Sequence, residues 1–220
     1  GRVQCTPDLM PADILGTHIV NEDSHGRRVL HFERGPVFKN ILLVDEINRA
    51  TPKTQAALLE VMQEHAVTAG GERHALPEPF FVLATQNPME MEGTYPLPEA
   101  QLDRFMFKIQ VPFPTLDNLV EISRRTTGFE EPKLTPVLSG AELVQLQHSL
   151  AGLAVADPIA HYASSLVLGT HPDQPGVQPA VKRYVSYGSS PRGLQALIRG
   201  ARVCCAVRGG TAVSADDIQR

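Results

Sequence analysis

Two adjacent acidic residues, Asp45 and Glu46, directly follow four large apolar residues at positions 41–44. An apolar run of this length is typical of a strand that is covered on both faces of a parallel sheet. Carboxylates at the carboxyl end of such a strand would lie in the crevice where open α/β sheets bind ligands. The pattern therefore predicts a place that holds a metal-bound phosphate. The alternative is a buried strand that ends in an acidic turn.

The same six residues resemble the Walker B element of the P-loop NTPases. In that element the first acid supports Mg²⁺ and the second, in many ATPases, polarises the attacking water. Adjacent residues of a strand point to opposite faces, so Asp45 and Glu46 can serve one site only if the strand ends there and its backbone turns.

A phosphate-binding glycine loop, G-x-x-x-x-G-K-[ST], should precede the acidic strand in such a protein. None of the 17 glycines is followed by lysine. Only about 40 residues precede Asp45, which is too few for the loop, its helix and a further strand, because one βαβ unit takes roughly 30 residues. We therefore expect the chain to be a piece of a larger ATPase whose first strand and phosphate loop lie upstream.

The composition is that of an ordinary globular protein, with 42% hydrophobic residues among 220. The net charge of −4 argues against nucleic acid as the favoured partner. No run approaches the roughly 18 apolar residues of a membrane helix, and no signal peptide is recognisable at residue 1. The three cysteines, Cys5, Cys204 and Cys205, form no C-x-x-C pair and no zinc spacing with the histidines, so we expect a reduced cytoplasmic protein.

Strand and helix signals are mixed in the first half of the chain. Strands are predicted over residues 3–5, 41–45, 80–85 and 107–111, and helices over 11–15, 52–65 and 99–105. Two β-hairpins are also predicted, one over residues 17–32 with a polar turn at 21–26, and one over 67–78 that turns at Gly70 and Gly71.

The second half reads as helices alone. Apolar residues recur at helical spacing in four segments, around residues 116–120, 143–153, 159–167 and 194–205, and a further helix begins near Ser214. We expect these apolar stripes to form a core. The change falls at residues 112–114, where we place the boundary between a first domain, 1–113, and a helical domain, 114–220.

Four short motifs occur in an order and spacing that resemble the MoxR family of AAA+ ATPases. They are LVDEINRA at residues 43–50, ATQNP at 84–88, EAQLDRF at 99–105 and SPRG at 190–193. The resemblance implies an α/β fold, in which an AAA+ P-loop NTPase-type parallel sheet without its first strand and P-loop is followed by an all-α lid domain. It also implies that the missing strand lies between the strand that ends near Asn87 and the strand at 107–111.

The resemblance assigns a role to five residues. Asp45 matches the acid near Mg²⁺, Glu46 matches the catalytic base, and Asn87 matches the sensor 1 residue that positions the attacking water. Arg104 matches an arginine finger that reaches into the nucleotide of the next subunit. Arg192 matches sensor 2, an arginine of the helical lid that contacts the phosphate of its own subunit.

Four of these roles have a structural alternative. The acids could form a structural pair at a strand end, and Asn87 could form a turn before Pro88. Arg104 could pair with Asp103 or Glu99. Three more arginines follow on the same predicted helix: Arg199, Arg202 and Arg208. They most simply form a solvated face, and a nucleic-acid-binding surface is the alternative.

At the level of function, the resemblance implies that ATP hydrolysis with Mg²⁺ drives chaperone-like remodelling or maturation of partner proteins by a homo-oligomeric ring, a hexamer. The two hairpins would face the centre of the ring and move a client, or would merely shield a sheet edge. The alternative functions are a non-catalytic interaction module and a nucleic-acid motor or magnesium-chelatase-like subunit. No other metal site is expected, because four dispersed histidines lack metal-ligand spacing: His25, His31, His65 and His74.

Overall fold

The computed structural model describes residues 1–22, 26–87, 93–128 and 134–220. The centre of the turn predicted at 21–26, with His25, lies outside these residues, as does Pro88 of the ATQNP motif. Among the described residues, no helix combines the length and the apolar character that a membrane crossing requires.

A parallel sheet of three strands forms the centre of the first half. Its strands are β1, Arg2–Gln4, β4, Ile41–Asp45, and β7, Phe81–Ala84, and β4 lies between the other two. The register pairs Gln4 with Asp45 and Val44 with Ala84. Because the strands are parallel, their carboxyl ends meet at one edge, which brings the acidic pair next to residues 85–87.

Helix α2, Pro52–Glu64, packs beneath the sheet, and the shorter helix α1 spans Pro11–Leu15. Helix α2 begins at Pro52 because the hydroxyl of Thr51 accepts a hydrogen bond from the backbone N–H of Thr54 at 3.4 Å. The buried side chains of Leu58 and Val61 lie in one apolar cluster with those of Leu42 and Val44. Burial of this face of β4 fixes the position of the acids that follow it.

The opposite face of the sheet is exposed. Three large apolar side chains on this face, Ile41, Phe81 and Leu83, are between 49% and 58% exposed, and Leu43 is partly exposed. The prediction that these strands are covered on both faces is therefore wrong for the described residues. The described elements cover only the face that carries Leu42 and Val44.

Residues 107–111 do not form the predicted strand. Phe107, Ile109 and Val111 are 71%, 81% and 88% exposed. A strand needs a hydrogen-bonded neighbour, and none of the described strands pairs with the free edge of β7, where that neighbour was expected. Within the described residues the sheet lacks the strand expected between β7 and this segment, which confirms that prediction.

Both predicted hairpins are present, and they pack against each other. The first joins β2, Gly16–Glu22, to β3, Arg28–Arg34, and the second joins β5, Ala66–Ala69, to β6, Glu72–Ala75. Gly70 and Gly71 have positive φ, 60° and 85°, as a two-residue hairpin turn requires. The ring of His18 lies against Gly70 so closely that a Cβ there would be 2.6 Å from it. The rings of Phe32 and His74 stack with centroids 4.2 Å apart.

The remaining elements are helices. They are α3 Glu99–Leu102, α4 Leu116–Thr126, α5 Gly140–Ala151, α6 Asp157–Gly169, α7 Pro179–Tyr184, α8 Pro191–Val207 and α9 Ala215–Gln219. A second apolar cluster is centred on the buried residues Ala163, Ala201 and Cys205. Helix α7 was not predicted. The stripe of α4 was predicted as core, but its residues Leu116 and Val120 are exposed, because α4 packs little against the other helices.

Arg208 and Asp217 join α8 to α9. The buried carboxylate of Asp217 accepts two hydrogen bonds from Arg208, at 2.7 and 2.6 Å, and one from the backbone N–H of Ser214 at 2.8 Å. These hydrogen bonds, with that of Arg208 the strongest, hold the pKa of Asp217 far below its usual range. Arg208 therefore has a structural role, although its side chain is 37% exposed, as expected for a solvated face.

Candidate functional site

The chain bends sharply at Glu46. This residue has φ 54° and ψ 49°, in the left-handed region that L-residues rarely adopt, and a 3₁₀ turn over Ile47–Arg49 follows it. Adjacent side chains of a regular strand point to opposite faces. The bend ends the strand between the two acids, as the sequence analysis required for both to serve one site.

Thr85, the first residue after β7, holds the acidic pair. Its hydroxyl accepts a hydrogen bond from the backbone N–H of Glu46 at 2.9 Å and donates one to Oδ1 of Asp45 at 3.2 Å. Its backbone carbonyl accepts a further bond from the N–H of Ile47 at 3.0 Å. Sequence reasoning did not assign this residue, although its place in the ATQNP motif, two positions before Asn87, was a usable signal.

Strand β1 contributes two more polar side chains. Arg2 and Gln4 are two positions apart, so they lie on the same face of the strand. The Nε of Arg2 lies 2.7 Å from Oδ2 of Asp45. The amide of Gln4 donates to Oε2 of Glu46 at 3.0 Å, and Nη1 of Arg49 lies 3.6 Å from the same oxygen. Sequence reasoning missed both β1 residues, because their partners lie more than 40 positions away in the chain.

The loop that carries Asn87 lies beside the 3₁₀ turn. The Nδ2 of Asn48 donates to the backbone carbonyl of Asn87 at 3.4 Å, and the carbonyl of Asn48 accepts from the N–H of Tyr95 at 2.6 Å. The buried amide of Gln55 donates to the carbonyls of Ile47 and Tyr95, at 3.1 and 3.0 Å. These bonds place Asn87 at the sheet edge that carries the acids.

The pKa of the Cys5 thiol reflects burial and the negative charge at this edge of the sheet. Its backbone N–H donates to the carbonyl of Asp45 at 2.9 Å, and its side chain is buried. Burial, and after it the negative charges of Asp45 and Glu46, raise the pKa of the Cys5 thiol to about 11. The thiol is therefore protonated near neutral pH, and we assign it no nucleophilic role.

Arg104 and Arg192 lie together at a second location. They line a cavity of about 320 Å³, which we call the arginine cavity, and its other polar lining residues include Gln63, Asp103 and Arg199. Nη1 of Arg104 donates to the carbonyl of Leu59 at 2.8 Å. The described part of the chain offers Arg104 no ion pair, so neither predicted partner, Asp103 nor Glu99, neutralises it.

Asp103 pairs with the lid instead. Its Oδ1 accepts from the hydroxyl of Ser190 at 2.6 Å, and its Oδ2 lies 3.8 Å from Nη1 of Arg192. Ser190 also caps α8, because its hydroxyl accepts from the N–H of Arg192 at 3.0 Å. Nη2 of Arg192 donates to the side chain of Gln63 at 3.1 Å.

The arginine cavity and the acidic pair are at opposite ends of α2. Gln63 is eleven residues beyond Pro52, so the contact with Arg192 is about 17 Å along the helix from the end that follows the acids. In this structure Arg192 lies beside Arg104, the predicted finger toward the next subunit. The contact predicted between Arg192 and the nucleotide of its own subunit stays a prediction.

Comparison with known proteins agrees with this fold. Residues 1–107 match the family described as ATPase family associated with various cellular activities (AAA), and residues 178–220 match the AAA lid domain. The chain is 31% identical over 237 residues to Protein MoxR of Methylorubrum extorquens, a match that covers 99% of this chain and 67% of that protein. The chain belongs to the MoxR family of AAA+ ATPases.

Other relatives include further MoxR proteins. The chain is 46% identical over 218 residues to Chaperone MoxR1 of Mycobacterium tuberculosis, and 41% identical over 221 residues to Protein YeaC of Bacillus subtilis. Each match covers 99% of this chain but only 56% and 65% of the respective relative. A crystal structure of a proposed ATPase from Cytophaga hutchinsonii superposes with a TM-score of 0.87 at 38% identity, covering 99% of this chain and 66% of that one. The MoxR-family chain thus has the α/β AAA+ fold with a helical lid.

Proposed function

We propose that this chain is the nucleotide-switch portion of a MoxR-like ATPase that couples ATP hydrolysis to chaperone-like remodelling or maturation of partner proteins. One observation carries the proposal: the left-handed bend at Glu46, held by Thr85, presents two acids beside Asn87 at the carboxyl edge of a parallel sheet. Open α/β sheets bind ligands at this edge. The name of the relative Chaperone MoxR1 supports the remodelling role.

In the proposed reaction, water attacks the terminal phosphorus of ATP in line with the departing ADP oxygen. Glu46 accepts the proton of that water, and the phosphorus–oxygen bond to ADP breaks, so the products are ADP and phosphate. Asn87 suits the positioning of the water, because an amide both donates and accepts hydrogen bonds and adds no charge beside Glu46.

Asp45 fits a role beside Mg²⁺. Magnesium prefers oxygen ligands and is commonly bound by one or two carboxylates together with substrate phosphates. Among the described residues, no cluster of three or more His, Cys, Asp or Glu side chains could hold a metal ion. The phosphates of ATP would therefore have to complete the coordination of Mg²⁺. Because Arg2 already pairs with Oδ2 of Asp45 at 2.7 Å, we propose that Asp45 contacts the ion through a coordinated water. The bound ion would neutralise charge on the phosphates.

The phosphate loop is proposed to lie upstream, in a segment that adds a strand along the free edge of β7 and covers the exposed face of the sheet. The half-exposed side chains of Ile41, Phe81 and Leu83 support this proposal. We further propose that residues 1–113 and 114–220 form the core portion and the lid. The protein would work in the cytoplasm, where its three cysteines stay reduced.

The arginine cavity is proposed to face the nucleotide of a neighbouring copy in a hexameric ring. Arginine suits this role, because its guanidinium is always charged and its planar fork of donors matches phosphate oxygens. Among the described residues, Arg104 is bound to one neutral carbonyl, so its charge is left for that phosphate. In this arrangement Arg192 acts on the neighbour together with Arg104.

Steady-state hydrolysis by a chain that carries a phosphate loop upstream of residue 1 tests the proposal. Glu46→Gln should lower turnover about a hundredfold or more while ATP binding persists, because the amide cannot accept the proton. Glu60→Gln, an exposed change of equal charge on α2, is the matched control. Undiminished turnover in Glu46→Gln would refute the role of Glu46. Stimulation of hydrolysis by DNA would favour a nucleic-acid motor instead.

A further inference from the structure

A third arginine, Arg199, lines the arginine cavity with Arg104 and Arg192. Arg192 and Arg199 are seven residues apart on α8, so they lie on one face of the helix, about 10 Å apart along its axis. Between them, Gly193 and Ala196 contribute little bulk to this wall, and Gln195 contributes a neutral amide. The two guanidinium groups can therefore approach one elongated ligand from the same side.

The charges of the arginine cavity are unbalanced. Asp103 is its one carboxylate, and it faces Arg192 at 3.8 Å while accepting a hydrogen bond from Ser190. Arg104 is bound to a neutral carbonyl. Arg199 has no ion pair or hydrogen bond with any residue in the described part of the chain. Three cations and one anion therefore share a cavity of about 320 Å³, and a ligand with several negative charges would relieve their repulsion.

We propose that Arg199 binds the inner phosphates of a nucleoside triphosphate held by a neighbouring copy, while Arg104 and Arg192 contact its terminal phosphate. The proposal rests on the proposed function of the arginine cavity and adds a residue to it. A single phosphate is too short to engage both ends of this wall of α8. Arg199 therefore discriminates a polyphosphate from orthophosphate.

Calorimetry on the 220-residue chain tests this with inorganic triphosphate and orthophosphate as probes. Arg199→Ala should weaken triphosphate binding about tenfold, the usual effect of losing one charge-assisted hydrogen bond, and orthophosphate binding less than about twofold. Arg199→Lys, which keeps the charge, should recover part of the triphosphate affinity. Arg125→Ala removes the same charge from α4, outside the cavity, and should change neither affinity.

Three results would overturn the proposal. The first is that the unchanged chain shows no detectable triphosphate binding. The second is that Arg199→Ala loses no more triphosphate affinity than Arg125→Ala. The third is that Arg199→Ala loses the same affinity for triphosphate and for orthophosphate. The proposed function is judged separately by the turnover of Glu46→Gln, which does not involve the arginine cavity. If Arg104→Ala and Arg192→Ala abolish triphosphate binding while Arg199→Ala is neutral, this inference fails and the proposed function stands.

Discussion

The hydroxyl of Thr85 accepts a hydrogen bond from the backbone N–H of Glu46 at 2.9 Å. The same hydroxyl donates to Asp45 at 3.2 Å, so one side chain directly after β7 holds both acids. In the proposed mechanism the acids act at a separation set by this bridge. We therefore propose that Thr85 is a positioning residue, which acts through the two acids.

Removal of this hydroxyl should slow hydrolysis and weaken binding little. In a chain that carries the phosphate loop, Thr85→Ala should lower kcat roughly tenfold to a hundredfold, because the base is no longer held in place, and change the KM for ATP little. Thr85→Ser keeps the hydroxyl and should restore most of kcat. A wild-type kcat in Thr85→Ala would show that the bridge does not position Glu46.

Glycine at position 46 should stabilise the protein while abolishing turnover. The left-handed conformation of Glu46 costs an L-residue about 1–2 kcal/mol, and glycine avoids most of this cost. Glu46→Ala is the control, because both variants lose the carboxylate and its bond from Gln4 while only alanine keeps the Cβ. In urea unfolding of the 220-residue chain, the free energy of unfolding of Glu46→Gly should exceed that of Glu46→Ala by about 1 kcal/mol. Equal stabilities would show that the bend carries no strain.

The sequence predicted those elements that are set by local pattern. The apolar run before Asp45 produced β4, Thr51 with Pro52 began α2, and the Gly70 and Gly71 pair turned the second hairpin. In each case the required signal lies within a few residues of the element.

Elements that depend on distant neighbours could not be predicted in the same way. Residues 107–111 have the composition of a strand, but a strand forms only beside a pairing partner, and no described strand takes that place. Likewise, the contacts of Arg2 and Gln4 with the acids follow from the register of β1 on β4, which no local pattern shows. The contact of Arg192 with Gln63 depends on how the lid packs against α2.

The ion pair of Asp217 with Arg208 should make stability depend on pH below about pH 4. Asp217 has a depressed pKa in the folded chain, so its stabilisation is fully present above the unfolded value of about 3.9 and is lost as the pH falls toward the folded value. Asp217→Asn should therefore be less stable than the unchanged chain at pH 7. Urea unfolding at a series of pH values should show that this difference shrinks below about pH 4.

The neighbouring carboxylate supplies the control for that series. Asp216 is exposed, so Asp216→Asn should leave the free energy of unfolding nearly unchanged at pH 7. If the difference in free energy of unfolding between Asp217→Asn and the unchanged chain stays constant down to pH 3, this would contradict the assignment of the lowered pKa of Asp217 to this ion pair.

Paramagnetic broadening of NMR signals by Mn²⁺-ATP tests most directly whether Asp45, Glu46 and Asn87 act on one nucleotide. In a chain that carries the phosphate loop, the backbone amide signals of all three residues should broaden strongly with Mn²⁺-ATP and stay sharp with Mg²⁺-ATP. Broadening at Asp45 with an unaffected signal at Asn87 would place the amide away from the phosphates and contradict the proposed site.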